Sequence, residues 1–237
     1  MALNYQPKVN RKAVKIYFLE FIMTTLAITL GFFAENVRES SIDKKVTTQY
    51  LETFQLELLN NKIVFNNYDS IYNSIMPAED SIVNIFYEKT ENKNLYTIGR
   101  LLARTRRFII PPISISAYQQ MVNSGGLKNI YNLALKDSMA VYSELIQQIE
   151  NYNAYIFDLR SANSPQIGML EDFHDFAGPD HIPSIDSYPA LTARERRFII
   201  YYYRTLFMRS LSDKSLLERL MLTNDHLLST INQELKK

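Results

Sequence analysis

The residues from Ile16 to Ala34 (IYFLEFIMTTLAITLGFFA) carry one charge, Glu20, and constrain the chain more than any other stretch. A helix of this length rises about 28 Å, close to the roughly 30 Å of a bilayer's hydrocarbon core. Tyr17, Phe18 and Phe21 sit toward one end and Phe32 and Phe33 toward the other, as aromatic side chains do at the two interfaces of a membrane. The run leads straight into Glu35, Arg38, Glu39, Asp43, Lys44 and Lys45 without a small-residue cleavage site, which favours a retained anchor over a signal peptide. Lys8, Arg11, Lys12 and Lys15 precede it with no acidic residue among them, so the positive-inside rule places the amino terminus in the cytoplasm. The expected organisation is a basic cytoplasmic segment over 1–15, a transmembrane helix over 16–36 and an extracytoplasmic helical bundle over 37–237. In a bacterium this is an inner-membrane protein with most of its chain in the periplasm. The competing reading of the run is a buried helix of a soluble protein.

Within that helix Glu20, Thr24, Ala27, Gly31 and Ala34 recur at spacings of four, three, four and three, which puts them on one face. Small residues on one face let two helix backbones approach closely in lipid. A charged Glu20 at mid-membrane costs on the order of 3 kcal/mol, less near an interface or beside a partner that donates a hydrogen bond. The stripe is therefore the candidate contact face for a second membrane helix.

Beyond Val37, Leu51, Phe54, Leu58, Asn61, Phe65, Tyr68, Tyr72 and Ile75 alternate at three and four, a heptad stripe with one polar member. Counted from Gly31, it is out of phase with the membrane stripe, so the two should meet different neighbours. Pro77-Ala78-Glu79-Asp80 reads as a new helix start, and Leu95 to Phe108 as a short helix closed by Pro111-Pro112. Residues 113–115 should be extended, with Ser116 as an N-cap and Ser124-Gly125-Gly126 as a reversal. A long pattern over 128–162 closes at Pro165, and Thr192 with Glu195 forms a capping box opening a last helix with a break expected near 210–213. Six glycines and eight prolines are too few for the turns of an all-β fold, and no segment alternates as a strand. The fold class is all-α, a single N-terminal transmembrane helix continuing into an antiparallel helical bundle.

The membrane helix with Glu20 and Gly31, the exit Glu35-Asn36-Val37-Arg38-Glu39 and the segment ISISAYQQMVNSGGL (Ile113 to Leu127) together resemble an uncharacterised family of small single-pass membrane proteins from Bacteroidota. Ser116, Tyr118, Met121, Ser124, Gly125 and Leu127 occupy that family's Ser/Thr-x-Tyr, hydrophobic and Ser-Gly-x-Leu positions, while Val37 stands where it often has tryptophan. The resemblance covers the first ~130–160 residues and implies topology, not an activity.

Absent cysteine removes disulfides, thiolate metal sites and cysteine nucleophiles. A net charge of +1 gives no general attraction to nucleic acid. No nucleophile elbow, phosphate loop or dinucleotide fingerprint occurs. Glu171 and His174 form a Glu-x-x-His, and with His181 they are weak metal candidates, but no second such motif accompanies them. The segments LLARTRRFII and LTARERRFII, beginning at Leu101 and Leu191, share eight of ten residues. Arg100, Arg104 and Arg107 form one basic stripe and Arg194, Arg197 and Arg204 another, together a candidate docking surface for anionic groups. The expectation is a non-catalytic structural or interaction subunit of a cell-envelope assembly, without a cofactor, whose partners are the lipid bilayer and an envelope protein or a second copy. The alternatives are an extracytoplasmic ligand-binding module signalling through a partner, and a metal-dependent enzyme built on His174 and His181.

Overall fold

A computed structural model describes residues 11–91, 95–106, 113–168 and 191–236. Its helices are α1 (Arg11–Tyr87), α2 (Leu95–Thr105), α3 (Ser116–Asn123), α4 (Leu133–Gly168) and α5 (Ala193–Glu234), with a 3-10 turn at Gly126–Asn129. No strand occurs among the described residues, so the fold is all-α.

The heptad stripe of α1 organises the rest. All eight of its positions from Leu51 to Ile75 are at most 7% exposed, and burying each large apolar member stabilises the fold by roughly 1.5–3 kcal/mol. On one side of this stripe lies α5, paired through Gln55 with Asn232 at 2.7 Å, Lys62 with Asp225 at 2.7 Å and Lys214 with Asn73 at 2.7 Å. The α1 number rises as the α5 number falls, so the two helices run in opposite directions. Helix α4 runs with α1, because Asn61 meets Tyr142 low on the bundle and Glu79 meets Arg160 higher up. Helices α2 and α3 pack on α1 at opposite ends of the core. Ile98 and Leu102 of α2 pack with Ile82 and Phe86 near the far end of α1, while Ala117 and Met121 of α3 join the core around Phe54 and Leu58.

Local chemistry explains the element ends. The capping box of α5 is formed: Glu195 N donates to Thr192 Oγ1 at 3.2 Å and Thr192 N to Glu195 Oε2 at 2.7 Å. Gly125 adopts φ +70° between α3 and the 3-10 turn, a conformation glycine reaches without steric cost. Ser116 is the first residue of α3, not its cap. The cap comes from α1, whose Glu57 accepts from Ala117 N at 3.1 Å and Ser114 Oγ at 3.0 Å and also bonds the Ser116 hydroxyl. The carboxylate of a neighbouring helix thus satisfies donors that α3 leaves open.

Three expected boundaries are absent. Pro77 lies inside α1, where its missing N–H disfavours the helix by about 3 kcal/mol. Ile75, Ala78, Ile82 and Phe86 on both sides of it are buried on one continuing face, and that burial offsets the penalty. Pro165 lies inside the last turn of α4, which runs three residues past the expected stop. Helix α5 passes 210–213 unbroken, since Asp213 is buried and Ser212 Oγ returns to Met208 O at 3.1 Å.

The described residues leave the first third of α1 uncovered. Side chains from Val14 to Ser41 are exposed, including Phe18, Leu19, Leu30 and Phe32 at 61–72%. Truncating the buried stripe should reveal the contrast: Leu58→Ala is expected to cost roughly 2–5 kcal/mol and Phe65→Ala 3–5 kcal/mol. Leu56→Ala, on the exposed side of the same helix, should cost under about 0.5 kcal/mol. Denaturant unfolding of the three full-length variants in detergent measures this, and equal costs at Leu56 and Leu58 would contradict the assigned face.

Candidate functional site

The face expected to contact a second membrane helix is bare. Glu20, Thr24, Ala27, Gly31 and Ala34 are exposed, and a side chain built at Gly31 meets nothing within 4 Å. Thr24, Thr25 and Thr29 each donate their hydroxyl to the carbonyl four residues earlier at 2.8 Å. Their polar atoms are thereby satisfied without water, the requirement inside a hydrocarbon core.

The two basic stripes lie on the solvent sides of α2 and α5. Arg100, Arg104, Arg194, Arg197 and Arg204 are exposed, with Arg100 over the Tyr96 ring at 5.9 Å. Arg107 lies outside the described residues. Leu102 of the first segment and Ile199 of the second belong to one core cluster with Ile82 and Phe86 of α1. The arginines themselves are not joined by any hydrogen bond or ion pair among the described residues. Arg196 of the second segment is engaged, its Nε donating to Glu91 Oε1 at 3.0 Å in a mostly buried pair. Glu171, His174 and His181 fall outside the described residues. Among the described residues no group of three or more metal-ligating side chains occurs.

The interior holds polar chemistry that sequence periodicity only hinted at. Low in the bundle, Asn61 Nδ2 donates to Ser114 O at 2.7 Å and to Tyr142 Oη at 3.0 Å, and Ser114 N donates back to Asn61 Oδ1 at 3.0 Å. Tyr142 Oη donates to Asn224 Oδ1 at 3.1 Å, and Asn224 Nδ2 to Leu58 O at 3.2 Å. One connected chain thus ties α1, the 113–115 segment, α4 and α5 together.

Higher up sit two buried carboxyl groups. Glu79 is 0% exposed and faces the Ser210 hydroxyl and the Arg160 guanidinium, the latter no closer than 3.9 Å. Burial pushes its carboxyl up to about 7, with Ser210 and Arg160 pulling the other way. Asp213, 3% exposed, accepts from the Tyr72 hydroxyl and is likewise pushed up to about 7 by burial. The same burial, with the Asp213 charge alongside, raises the Tyr68 phenol. Arg160 donates from Nη1 to Thr105 O at 2.8 Å. A cavity of about 20 Å³ lies among Tyr72, Ile156, Arg160, Leu206 and Asp213, room for about one water. Glu79 and Asp213 are the residues that the sequence places in a helix start and a helix break. Their polarity is real, but it is internal.

The chain matches no family model, no curated protein and no solved structure.

The paired carboxyls give the fold a defined pH response. A folded carboxyl near 7 holds its proton where the unfolded one, near 4, has lost it. Its contribution is fully present below about pH 4 and is lost as the pH rises through 7, on the order of 3 kcal/mol per group. Denaturant unfolding of the full chain in detergent should therefore show stability falling from pH 5 to pH 8. Combining Glu79→Gln with Asp213→Asn should flatten that slope, and an unchanged slope would contradict the internal assignment.

Proposed function

We propose that the protein is a membrane-anchored interaction subunit of a cell-envelope assembly, held by residues 16–36 and acting without catalysis. The observation that carries this reading is a window of 18 residues in α1 with mean hydropathy 1.8 of which 0% is buried. A soluble core helix of that composition would be covered by its own chain. Leaving such a surface in water is unfavourable at about 25 cal/mol per Å², so its cover comes from lipid, with a partner helix over the small-residue face. Such contacts contribute through close backbone approach and through hydrogen bonding to polar groups held in hydrocarbon. Glu20, Thr24, Ala27, Gly31 and Ala34 supply both. The basic amino-terminal residues support a cytoplasmic start, and the bundle then stands on the periplasmic side of a bacterial inner membrane. The exposed arginines of α2 and α5 are a second docking surface on that bundle, suited to carboxylate or phosphate groups.

Two measurements test this. The natural chain has no cysteine, so Ser41→Cys should react with an impermeant maleimide added outside intact spheroplasts; reaction only after permeabilisation would reverse the orientation. Crosslinking through Thr24→Cys in native membrane should capture a partner or a second copy. Gly31→Leu should reduce that capture about fivefold, the equivalent of roughly 1 kcal/mol of lost helix packing. Capture unaffected by both Gly31→Leu and Glu20→Leu would remove this face from the account.

A further inference from the structure

The inward register of α1 does not stop where its core begins. Traced from Leu51 toward the amino terminus, the same face carries Thr47, Lys44, Ser40 and Asn36 at spacings of four, three, four and four. It therefore changes from apolar to polar while still pointing toward the bundle side. The segment after the 3-10 turn overhangs this polar stretch without filling it. Asn129 and Tyr131 form the opposite wall of a groove of about 220 Å³ against Asn36, Glu39, Ser40, Asp43 and Lys44.

The height of the groove is fixed by helix geometry. At 1.5 Å per residue, Asn36 stands about 3 Å and Lys44 about 15 Å beyond Ala34. A headgroup layer is about 5–7 Å thick on each side of the hydrocarbon core. The lower end of the groove lies in that layer. Tyr131, 85% exposed, and Leu133, 70% exposed, belong to the same end of the bundle, and an exposed tyrosine is the side chain that interfaces favour.

The lining combines opposite charges that are not used by one another. Glu39 lies beside the Arg38 charge, and Asp43 and Lys44 make no ion pair with any other described residue. Two carboxylates beside one ammonium, with amide and hydroxyl donors between them, complement a ligand carrying both signs a few ångströms apart. We propose that this groove binds the zwitterionic headgroup of a phospholipid in the leaflet from which α1 emerges. The phosphate, the inner part of the headgroup, lies at the lower end against the Asn36 and Asn129 amides, and the ammonium lies above it against Glu39 and Asp43. Charge-assisted hydrogen bonds of this kind are the stronger class. The bundle is thereby seated on the membrane surface instead of swinging above it. This inference rests on the membrane anchoring proposed above.

The natural chain has no tryptophan, so single-tryptophan variants of the full-length protein report position directly. Phe33→Trp, Tyr131→Trp and Tyr201→Trp are reconstituted into phosphatidylethanolamine–phosphatidylglycerol vesicles containing a headgroup-attached nitroxide. Quenching is expected at Phe33→Trp and Tyr131→Trp and not at Tyr201→Trp, which lies toward the far end of the bundle. Quenching at Phe33→Trp with Tyr131→Trp at the Tyr201→Trp level overturns the inference and leaves the anchoring intact. Absence of quenching at Phe33→Trp overturns the anchoring itself. In detergent, dihexanoyl phosphatidylethanolamine should shift the Tyr131→Trp emission, and adding Glu39→Gln with Asp43→Asn should weaken that binding about tenfold. Equal binding of dihexanoyl phosphatidylglycerol, equal binding of inorganic phosphate, or no effect of the two substitutions overturns the headgroup assignment.

Discussion

One helix imposes the constraint on which the rest of the structure depends. Helix α1 spans Arg11–Tyr87 without interruption, a rod of about 115 Å. A rod of that length cannot fold back on itself, so its apolar surface must be covered by whatever stands beside each part. From Leu51 onward the cover is α2, α3, α4 and α5, docked on one inward face of α1. Below Leu51 the described residues leave the side chains up to Ser41 exposed. The partition of α1 into a covered and an uncovered part follows from the phase of two stripes on one helix. The proposed anchor and the bundle are mechanically continuous for the same reason.

An apolar stripe recurring every three to four residues still sets apolar side chains opposite one another after a slip of one turn, so the pattern alone specifies register weakly. The Asn61–Tyr142–Asn224 chain is satisfied in one relative register of α1, α4 and α5. A slip of one turn leaves buried amides unpaired, at about 1–3 kcal/mol for each lost partner. Glu79 and Asp213 act differently. Both are buried with less compensation, and their raised proton affinity means that they destabilise the bundle as they ionise.

Much of this was legible in the residues. The unbroken helix out of the apolar run, the burial of Leu58 and Phe65, the capping box at Thr192 and the reversal at Gly125 all follow from spacing and local stereochemistry. What was not legible shares one cause. Pro77, Pro165 and the Ser210–Asp213 stretch are local signals for an end, and at each the helix goes on. At Pro77 and Asp213, long-range burial outweighs a local penalty of a few kcal/mol; past Pro165 the helix runs only three residues. The same override hid the acidic centre, because Glu79 and Asp213 are polar residues at positions where the helical register faces inward. Asn61 was the one warning, a polar member inside an otherwise apolar stripe. The trans cap from Glu57 to Ser114 and Ala117 had no sequence signal, since its partners stand more than fifty residues apart.

The central claim is that one continuous helix joins the uncovered segment to the bundle at fixed phase. It is tested most directly by a distance between spin labels at Val37→Cys and Ser70→Cys, both on exposed positions of α1, in the full-length protein in lipid nanodiscs. An unbroken helix predicts a single narrow distribution near 50 Å. A broad distribution, or one centred well below 40 Å, would mean that the rod is hinged between the two positions and would contradict the account.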